Sequence, residues 1–150
     1  NWSLVLDVLG FRGLSGSQVA GIMEMASNVE RISDSCASIA HKINSKIEKG
    51  LTFSDSALEE LAEAFELVEN MVDHATNVLK DGNRMAAEAV LQLETQINQL
   101  ERRLRKQHLA RLNEGICSPD LTVTYTEILH NLERIGDYCA NIAEYTLNNK

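Results

Sequence analysis

Residues 28–40 read NVERISDSCASIA, and residues 131–143 read NLERIGDYCANIA. Nine of these thirteen positions are identical, and they include an Asn, a Glu, an Arg, an Asp and a Cys. A generic amphipathic helix repeats the spacing of its apolar residues, but it does not repeat polar residue types in register. Internal duplication is therefore the better explanation. The two segments predict two equivalent helices in pseudo-symmetric halves of the molecule.

Four apolar stripes with three- and four-residue steps predict four long helices. They are expected at about 17–49, at about 55–80, from just after Gly82 to Gly115, and from the Cys117–Asp120 turn onward. Ser17 is the expected N-cap of the first helix. Connections of a few residues make long neighbouring helices antiparallel. The predicted fold class is all-α, an antiparallel up-down bundle of four long helices over residues 17–150, with residues 1–16 as an amino-terminal connector or arm.

Composition excludes several classes of protein. The 150 residues carry a formal net charge of −8, which argues against binding nucleic acid unaided. Three cysteines without a short-spaced pair fit a reducing compartment rather than a disulfide framework. Two of them, Cys36 and Cys139, fall on apolar stripes and are expected in the core. No P-loop, dinucleotide-binding or nucleophile-elbow pattern occurs, so the sequence predicts no enzyme of those kinds.

Each copy of the motif carries two acids one helical turn apart, Glu30 with Asp34 and Glu133 with Asp137. Taking the apolar stripes as the direction of the core, all four carboxylates point outward. Paired carboxylates suit hard cations such as iron, manganese, magnesium or calcium. The alternative, that they are solvated surface residues, stays open.

The repeated pattern N-x-E-R-I-x-D-x-x-A-x-I-A resembles the signature helix of PhoU, the bacterial phosphate-uptake regulator. A second run, Arg105-x-x-His108-x-x-Arg111 continuing to Ser118-Pro119, resembles the carboxy-terminal PhoU-like domain of bacterial sodium-phosphate cotransporters. The resemblance implies a non-enzymatic regulatory domain at the cytoplasmic face of the inner membrane. It would work as part of a phosphate transporter or beside one.

The resemblance also implies metal ligands, with iron, manganese, magnesium or zinc as the candidate cations. The residues that match the family's ligand positions or stand in their place are Glu30, Asp34, Glu94, Asn98, Glu133 and Asp137. The residues that complete the motif around them are Asn28, Arg31, Asn131 and Arg134. Asn98 stands where the family has an Asp, which weakens this site. The last helix is still expected to bind a cation better than the first, because the chain begins just before the first helix and leaves it without a partner helix.

Other interpretations remain. The chain could be a free-standing PhoU-type regulator or a metal-free structural bundle, and a metal-dependent enzyme ranks last. Trp2, Leu6 and Leu9 could form an apolar arm that docks on a second copy, which predicts a homodimer. The four histidines share no helix face, so solvated or capping roles are expected for them.

Overall fold

The computed structural model describes residues 7–8, 10 and 13–149. It contains four long helices, named α1 (Gly16–Glu48), α2 (Asp55–Asp81), α3 (Arg84–Asn113) and α4 (Pro119–Asn148). No strand occurs in this part of the chain, so the predicted all-α fold is confirmed. Among the same residues, no helix combines the length and the apolar character that a membrane crossing requires. Trp2, Leu6 and Leu9, the residues of the proposed arm, lie outside the described residues.

Capping residues set where the helices begin. Ser15, rather than the predicted Ser17, is the N-cap of α1. Its hydroxyl accepts from the Gln18 amide at 3.2 Å, and its own amide donates to the Gln18 side chain at 2.8 Å. This reciprocal pair is a capping box, which satisfies two amides that would otherwise lack partners. The other three helices begin after Ser54, Asn83 and Ser118, each of which accepts from an amide of the first turn.

Helices α2, α3 and α4 form a three-helix core. The carboxyl end of α3 meets the amino ends of α2 and α4, because Arg111 contacts both Glu60 and the ring of Tyr125. At the opposite end, the Arg84 guanidinium donates to the Leu147 carbonyl. These contacts make α3 antiparallel to both of its neighbours. Helix α4 packs against each of the other helices and is the most deeply buried element.

Helix α1 lies on the outer side of α4 and packs mainly along that helix. The two run antiparallel, since Lys42 pairs with Glu127 at 2.8 Å and Asn28 bonds Asn141 at 3.2 Å. The buried residues of α1 are few and mostly small or polar, namely Gly21, Asn28, Ser35 and Ile39. The bundle is therefore a three-helix core with a fourth helix packed along α4.

One expectation about α1 is wrong. The apolar stripe predicts that Ile22, Val29 and Cys36 face the core, yet Ile22 is 43% exposed, Val29 is 45% exposed and Cys36 is exposed. The physical reason is that α4 packs against the face of α1 that holds Asn28, Ser35 and Ile39. Only part of the stripe, Met25, Ile32, Ile39 and Ile43, therefore packs against the core. Cys139, the equivalent of Cys36 in α4, is fully buried as predicted.

Candidate functional site

The acidic pairs of the duplicated motif lie on the outer surface of the bundle. Glu30 and Asp34 on α1 are exposed, and so is Asp137 on α4. The side chain of Glu133 keeps 33% of its surface accessible. Because a helix makes one turn in 3.6 residues, side chains four positions apart share a face. The outward direction predicted from the stripes is thus confirmed, whereas a metal role for these residues stays a prediction.

The acids of α4 face a further acid from α3. Glu94 is partly buried, and its pKa is raised first by burial and then by the charges of Asp137 and Glu144. Burial also raises the pKa of Asp137, with the Glu133 carboxylate as the next cause. These acids therefore repel one another in a partly desolvated place, and a cation bound there would offset the repulsion. Nothing in the repeated motif points to Glu144, which directly follows its last residue.

Asn98 stands one turn after Glu94 on α3. Its Oδ1 is buried and has no hydrogen-bond partner among the described residues. A buried acceptor without a partner costs free energy, and a cation would satisfy it. We name the group of Glu94, Asn98, Glu133 and Asp137 the α3–α4 acidic site.

The donor atoms of the α3–α4 acidic site are all oxygens. Carboxylate and amide oxygens suit hard cations such as magnesium, manganese and iron better than zinc. In the described part of the chain, however, no group of three or more His, Cys, Asp or Glu side chains is placed to hold a metal ion. The residues fit a hard cation in their chemistry, but their carboxylates alone do not enclose one.

The acidic pair of α1 has different surroundings. Asp34 borders a cleft between α1 and α4 that also contains Arg31 and Arg134. The duplicated acids therefore occupy two unlike environments, although their sequences match.

The two motif asparagines, Asn28 and Asn131, join α1 to α4. Both are buried. Asn28 Oδ1 accepts from Asn141 Nδ2 at 3.2 Å, and Asn131 Nδ2 donates to Ser38 Oγ at 3.3 Å. Ser38 and Asn141 are equivalent positions of the repeat, so the two bonds are related by a pseudo-twofold axis. These asparagines have a structural role at the interface of the duplicated helices.

A buried polar cluster at the carboxyl end of α3 was not expected from the sequence. Arg111 holds the Glu60 carboxylate with two bonds of 2.7 Å, and the Tyr125 hydroxyl donates to the same carboxylate at 2.6 Å. His108 is only 3% exposed and stacks on Tyr125 at a centroid distance of 4.2 Å. The prediction that His108 is a solvated or capping histidine is therefore wrong. The spacing of His108 and Arg111 hints at a shared face, but only the fold supplies Glu60.

The hydrogen bonds of His108 define its neutral form. Arg111 Nη2 lies 3.3 Å from Nδ1 and can only donate, so Nδ1 accepts. Nε2 then carries the proton and faces the Thr122 hydroxyl at 3.1 Å, which in turn donates to the Ser118 carbonyl. Burial, followed by the charge of Arg111, lowers the pKa of His108. The ring is thus a poor proton acceptor toward Cys117, whose sulfur lies 3.6 Å from Nε2.

Comparisons with known proteins agree with the three-helix core. The family model described as the PhoU domain matches residues 61–146, which lie in α2, α3 and α4. The chain is similar to the phosphate-specific transport system accessory protein PhoU homolog 1 of Thermotoga maritima, with 28% identity over 123 residues. That alignment covers 82% of this chain and 52% of the relative.

Two further relatives extend the comparison. The PhoU homolog of Pseudomonas aeruginosa is 34% identical over 80 residues, covering 51% of this chain and 33% of the relative. An uncharacterised protein of Methanocaldococcus jannaschii is 28% identical over 148 residues, covering 96% of this chain and 47% of the relative. The chain spans about half the length, or less, of these curated relatives. No solved structure matches it significantly.

Proposed function

The chain belongs to the PhoU family, and on that premise we propose that it regulates phosphate uptake and catalyses no reaction. The observation that carries the proposal is the match of the PhoU domain to residues 61–146, the segment that forms the three-helix core. The relatives from Thermotoga maritima and Pseudomonas aeruginosa, both named as accessory proteins of phosphate-specific transport, support it.

We favour a free-standing regulator over a domain of a sodium-phosphate cotransporter. The named relatives are accessory proteins of a transport system, and neither is named as a cotransporter. The run from Arg105 to Pro119 supplies His108 and Arg111 to the packing of the core. Its likeness to cotransporter domains is therefore explained by the fold that both kinds of protein would share. The proposed partner is a phosphate transporter at the cytoplasmic face of the inner membrane.

A cellular experiment tests the regulatory role. The chain is expressed in bacteria that lack their own phosphate-uptake regulator, and uptake of radiolabelled phosphate is measured at low and high external phosphate. We expect the chain to restore the dependence of uptake on external phosphate. The control is the variant Ile135→Asp, which places a charge in the core and should leave uptake unregulated. A folded, well-expressed chain that leaves uptake unregulated would contradict the proposal.

We further propose that the α3–α4 acidic site binds a hard cation. The buried Oδ1 of Asn98 and the mutual repulsion of the carboxylates support this. Manganese should raise the melting temperature of the chelator-treated chain, and the double variant Glu94→Gln with Asp137→Asn should lose that response. The matched control changes the duplicated pair on α1, Glu30→Gln with Asp34→Asn, and should keep it. A wild-type chain that does not respond to manganese, magnesium or iron would favour the metal-free bundle.

A homodimer through α1 is the third part of the proposal. Exposed apolar faces in proteins mark contact surfaces, and the stripe of α1 includes Ile22 and Val29, each more than two-fifths exposed. Sedimentation should show a dimer for the wild-type chain and a monomer for Ile22→Glu with Val29→Glu. Val123→Glu changes an exposed valine on α4 and serves as the control. A wild-type monomer, or a dimer that survives the double change, would rule out this interface.

A further inference from the structure

The interface between α1 and α4 is nearly symmetric. Equivalent positions of the repeat face each other in reverse order, so that Asn28 bonds Asn141 at one end and Ser38 bonds Asn131 at the other. A pseudo-twofold axis therefore passes between these two bonds, close to the arginine of each motif copy. If the symmetry were exact, each residue of α1 would contact the same type of residue on α4 as its equivalent on α4 contacts on α1.

Four of the thirteen positions of the repeat differ, and the largest difference in side-chain size is between Ser35 and Tyr138. Arg31 of α1 lies over the ring of Tyr138 of α4, with its guanidinium carbon 5.9 Å from the ring centroid. The repeat places Ser35 in the position equivalent to Tyr138, so Arg134 faces a hydroxymethyl group where Arg31 faces a ring. A serine cannot fill the volume of a tyrosine. The exchange leaves space beside Arg134.

That space is a cleft of about 230 Å³ between the two helices. Its walls include Arg31 and Arg134, the hydroxyl residues Ser35 and Ser38, and the carboxylate of Asp34. Among the described residues, neither guanidinium lies within ion-pair distance of a carboxylate. Burial raises the pKa of the Asp137 carboxyl, and Arg134 is near enough for its charge to lower that pKa in part. Water occupies about 30 Å³ per molecule in the liquid, so the cleft has room for a small polyatomic ion.

The side chains that line the cleft determine which ion it can bind. Two guanidinium groups are the donors that proteins use for tetrahedral oxyanions, and serine hydroxyls can add further bonds. The Asp34 carboxylate repels an oxyanion that has no proton. It can accept a hydrogen bond from an oxyanion that carries an O–H group, and hydrogen phosphate carries one whereas sulfate at neutral pH does not.

We propose that the cleft between α1 and α4 is a binding site for hydrogen phosphate, held by Arg31 and Arg134 and selected against sulfate by Asp34. The inference goes beyond the proposed function, because regulation of uptake does not require this chain to bind the ion itself. The net charge of −8 repels anions at long range. Binding therefore depends on close contacts, and it is measured at about 0.15 M salt, where charges further apart than about 8 Å are largely screened.

Isothermal titration calorimetry of the full chain with inorganic phosphate tests the proposal, with sulfate in a parallel titration. We expect phosphate to bind and sulfate to bind at least about tenfold more weakly, the factor for one charge-assisted hydrogen bond. Arg134→Gln should weaken phosphate binding by about tenfold or more. The matched control, Arg102→Gln, changes an exposed arginine on α3 and should leave binding unchanged.

The variant Ser35→Tyr tests the broken symmetry itself. It restores the ring that the repeat lacks at this position and fills the cleft, so phosphate binding should be lost while the helical circular dichroism and cooperative melting persist. Asp34→Asn should reduce the preference for phosphate over sulfate. Should Ser35→Tyr fail to fold, amide chemical shifts of the wild-type chain on phosphate addition replace it, with changes expected at Ser35, Ser38 and Arg134.

Several results would overturn the inference. They are an absence of phosphate binding to the folded wild-type chain, equal binding of sulfate, or binding that neither Arg134→Gln nor Ser35→Tyr reduces. Each is separable from a failure of the proposed function, because phosphate uptake in cells is scored without reference to binding in the cleft. A chain that regulates uptake without binding phosphate would retain the function and lose this inference.

Discussion

Arg111 and Arg103 both pair with a glutamate of α2, but only Arg111 does so away from water. The side chains of Arg111 and Glu60 are 12% and 15% exposed, whereas those of Arg103 and Glu63 are 54% and 56% exposed. Arg111→Ala leaves a buried carboxylate without its cation, and we expect the free energy of unfolding to fall by about 3 kcal/mol. Chemical denaturation at neutral pH measures the loss.

The control for that prediction is Arg103→Ala, which should change the free energy of unfolding by less than about 1 kcal/mol. Measuring the free energy of unfolding over a range of pH tests the same pair in a second way. Burial alone would raise the pKa of Glu60, but the bonds from Arg111 and Tyr125 outweigh it and the pKa lies below its ordinary value of 4.5. The stability from this group is therefore present above that pH and lost below it. Equal losses for the two arginine variants would contradict the prediction.

The pKa of Glu94 is shifted in the opposite direction to that of Glu60. Its pKa is raised in the folded protein, so the folded state holds the proton more tightly than the unfolded chain does. The charged form of Glu94 lowers the stability of the folded protein. This loss is complete above the folded pKa of Glu94 and nearly absent below the ordinary value of 4.5. In chelator-treated protein, Glu94→Gln should therefore gain about 0.5 kcal/mol at neutral pH, or about 1–2 °C in melting temperature. The gain should shrink as the pH is lowered toward 4.5.

Glu88→Gln is the matched change for Glu94→Gln, because Glu88 lies on the same helix and is exposed. Its melting temperature should stay at the wild-type value across the same pH range. If both variants gain equally, the gain reflects the net charge of −8 rather than repulsion within the α3–α4 acidic site.

At the scale of the element, α1 and α4 show what a helical pattern can and cannot predict. Both carry the same motif and the same apolar stripe, and both helices form where the stripe and the capping residues predict. The stripe of α4 is covered by α2 and α3, whereas in α1 the stripe residues Ile22, Val29 and Cys36 stay exposed. Periodicity identifies an apolar face but not the element that covers it, which is why Cys139 was predicted well and Cys36 was not.

The candidate site shows the same division. A separation of four residues is enough to place Glu133 and Asp137 together on the outside of α4, because helix geometry is local. The approach of Glu94 from α3 and the pairing of Glu60 with Arg111 depend on how helices pack, and they could not be derived from spacing. The proximity of Glu94 was available only through resemblance to a family.

A thiol-labelling prediction follows from the exposure of α1. Cys36 is exposed, whereas Cys139 is fully buried and burial raises the pKa of its thiol to about 12. In dilute folded protein we expect iodoacetamide to modify Cys36 at least about a hundredfold faster than Cys139, because Cys139 reacts only after the core opens. Peptide mass spectrometry resolves the two sites.

Protein concentration adds a control to the labelling. If two copies pack through the stripe of α1, Cys36 should react more slowly as the concentration rises, while Cys139 should not change. The variant Cys36→Ser should lose the fast phase altogether. Rapid modification of Cys139 in folded protein would show that the two helices are not packed as described.

At the scale of the whole molecule, the four helices contribute unequally to the hydrophobic core. Of the fully buried apolar side chains described, α1 contributes Ile39, and the remainder come from residues 53–143. The other contacts of α1 are hydrogen bonds, an ion pair, small residues and the partly buried side chains of Met25, Ile32 and Ile43. The molecule is thus a three-helix core with a duplicated helix attached to its central element.

Residues 50–149 should therefore fold without α1. Removing α1 exposes the polar face of α4 and forfeits the burial of Ile39, a loss of about 3 kcal/mol at most from that side chain. We expect this fragment to keep a helical circular dichroism spectrum and a cooperative thermal transition at a lower temperature. Removing α4 instead takes away the helix that all the others contact, so residues 13–118 should show no cooperative transition. A fragment 50–149 that melts without cooperativity would mean that the contact with α1 is required to order the core, and that the fold is a single four-helix unit.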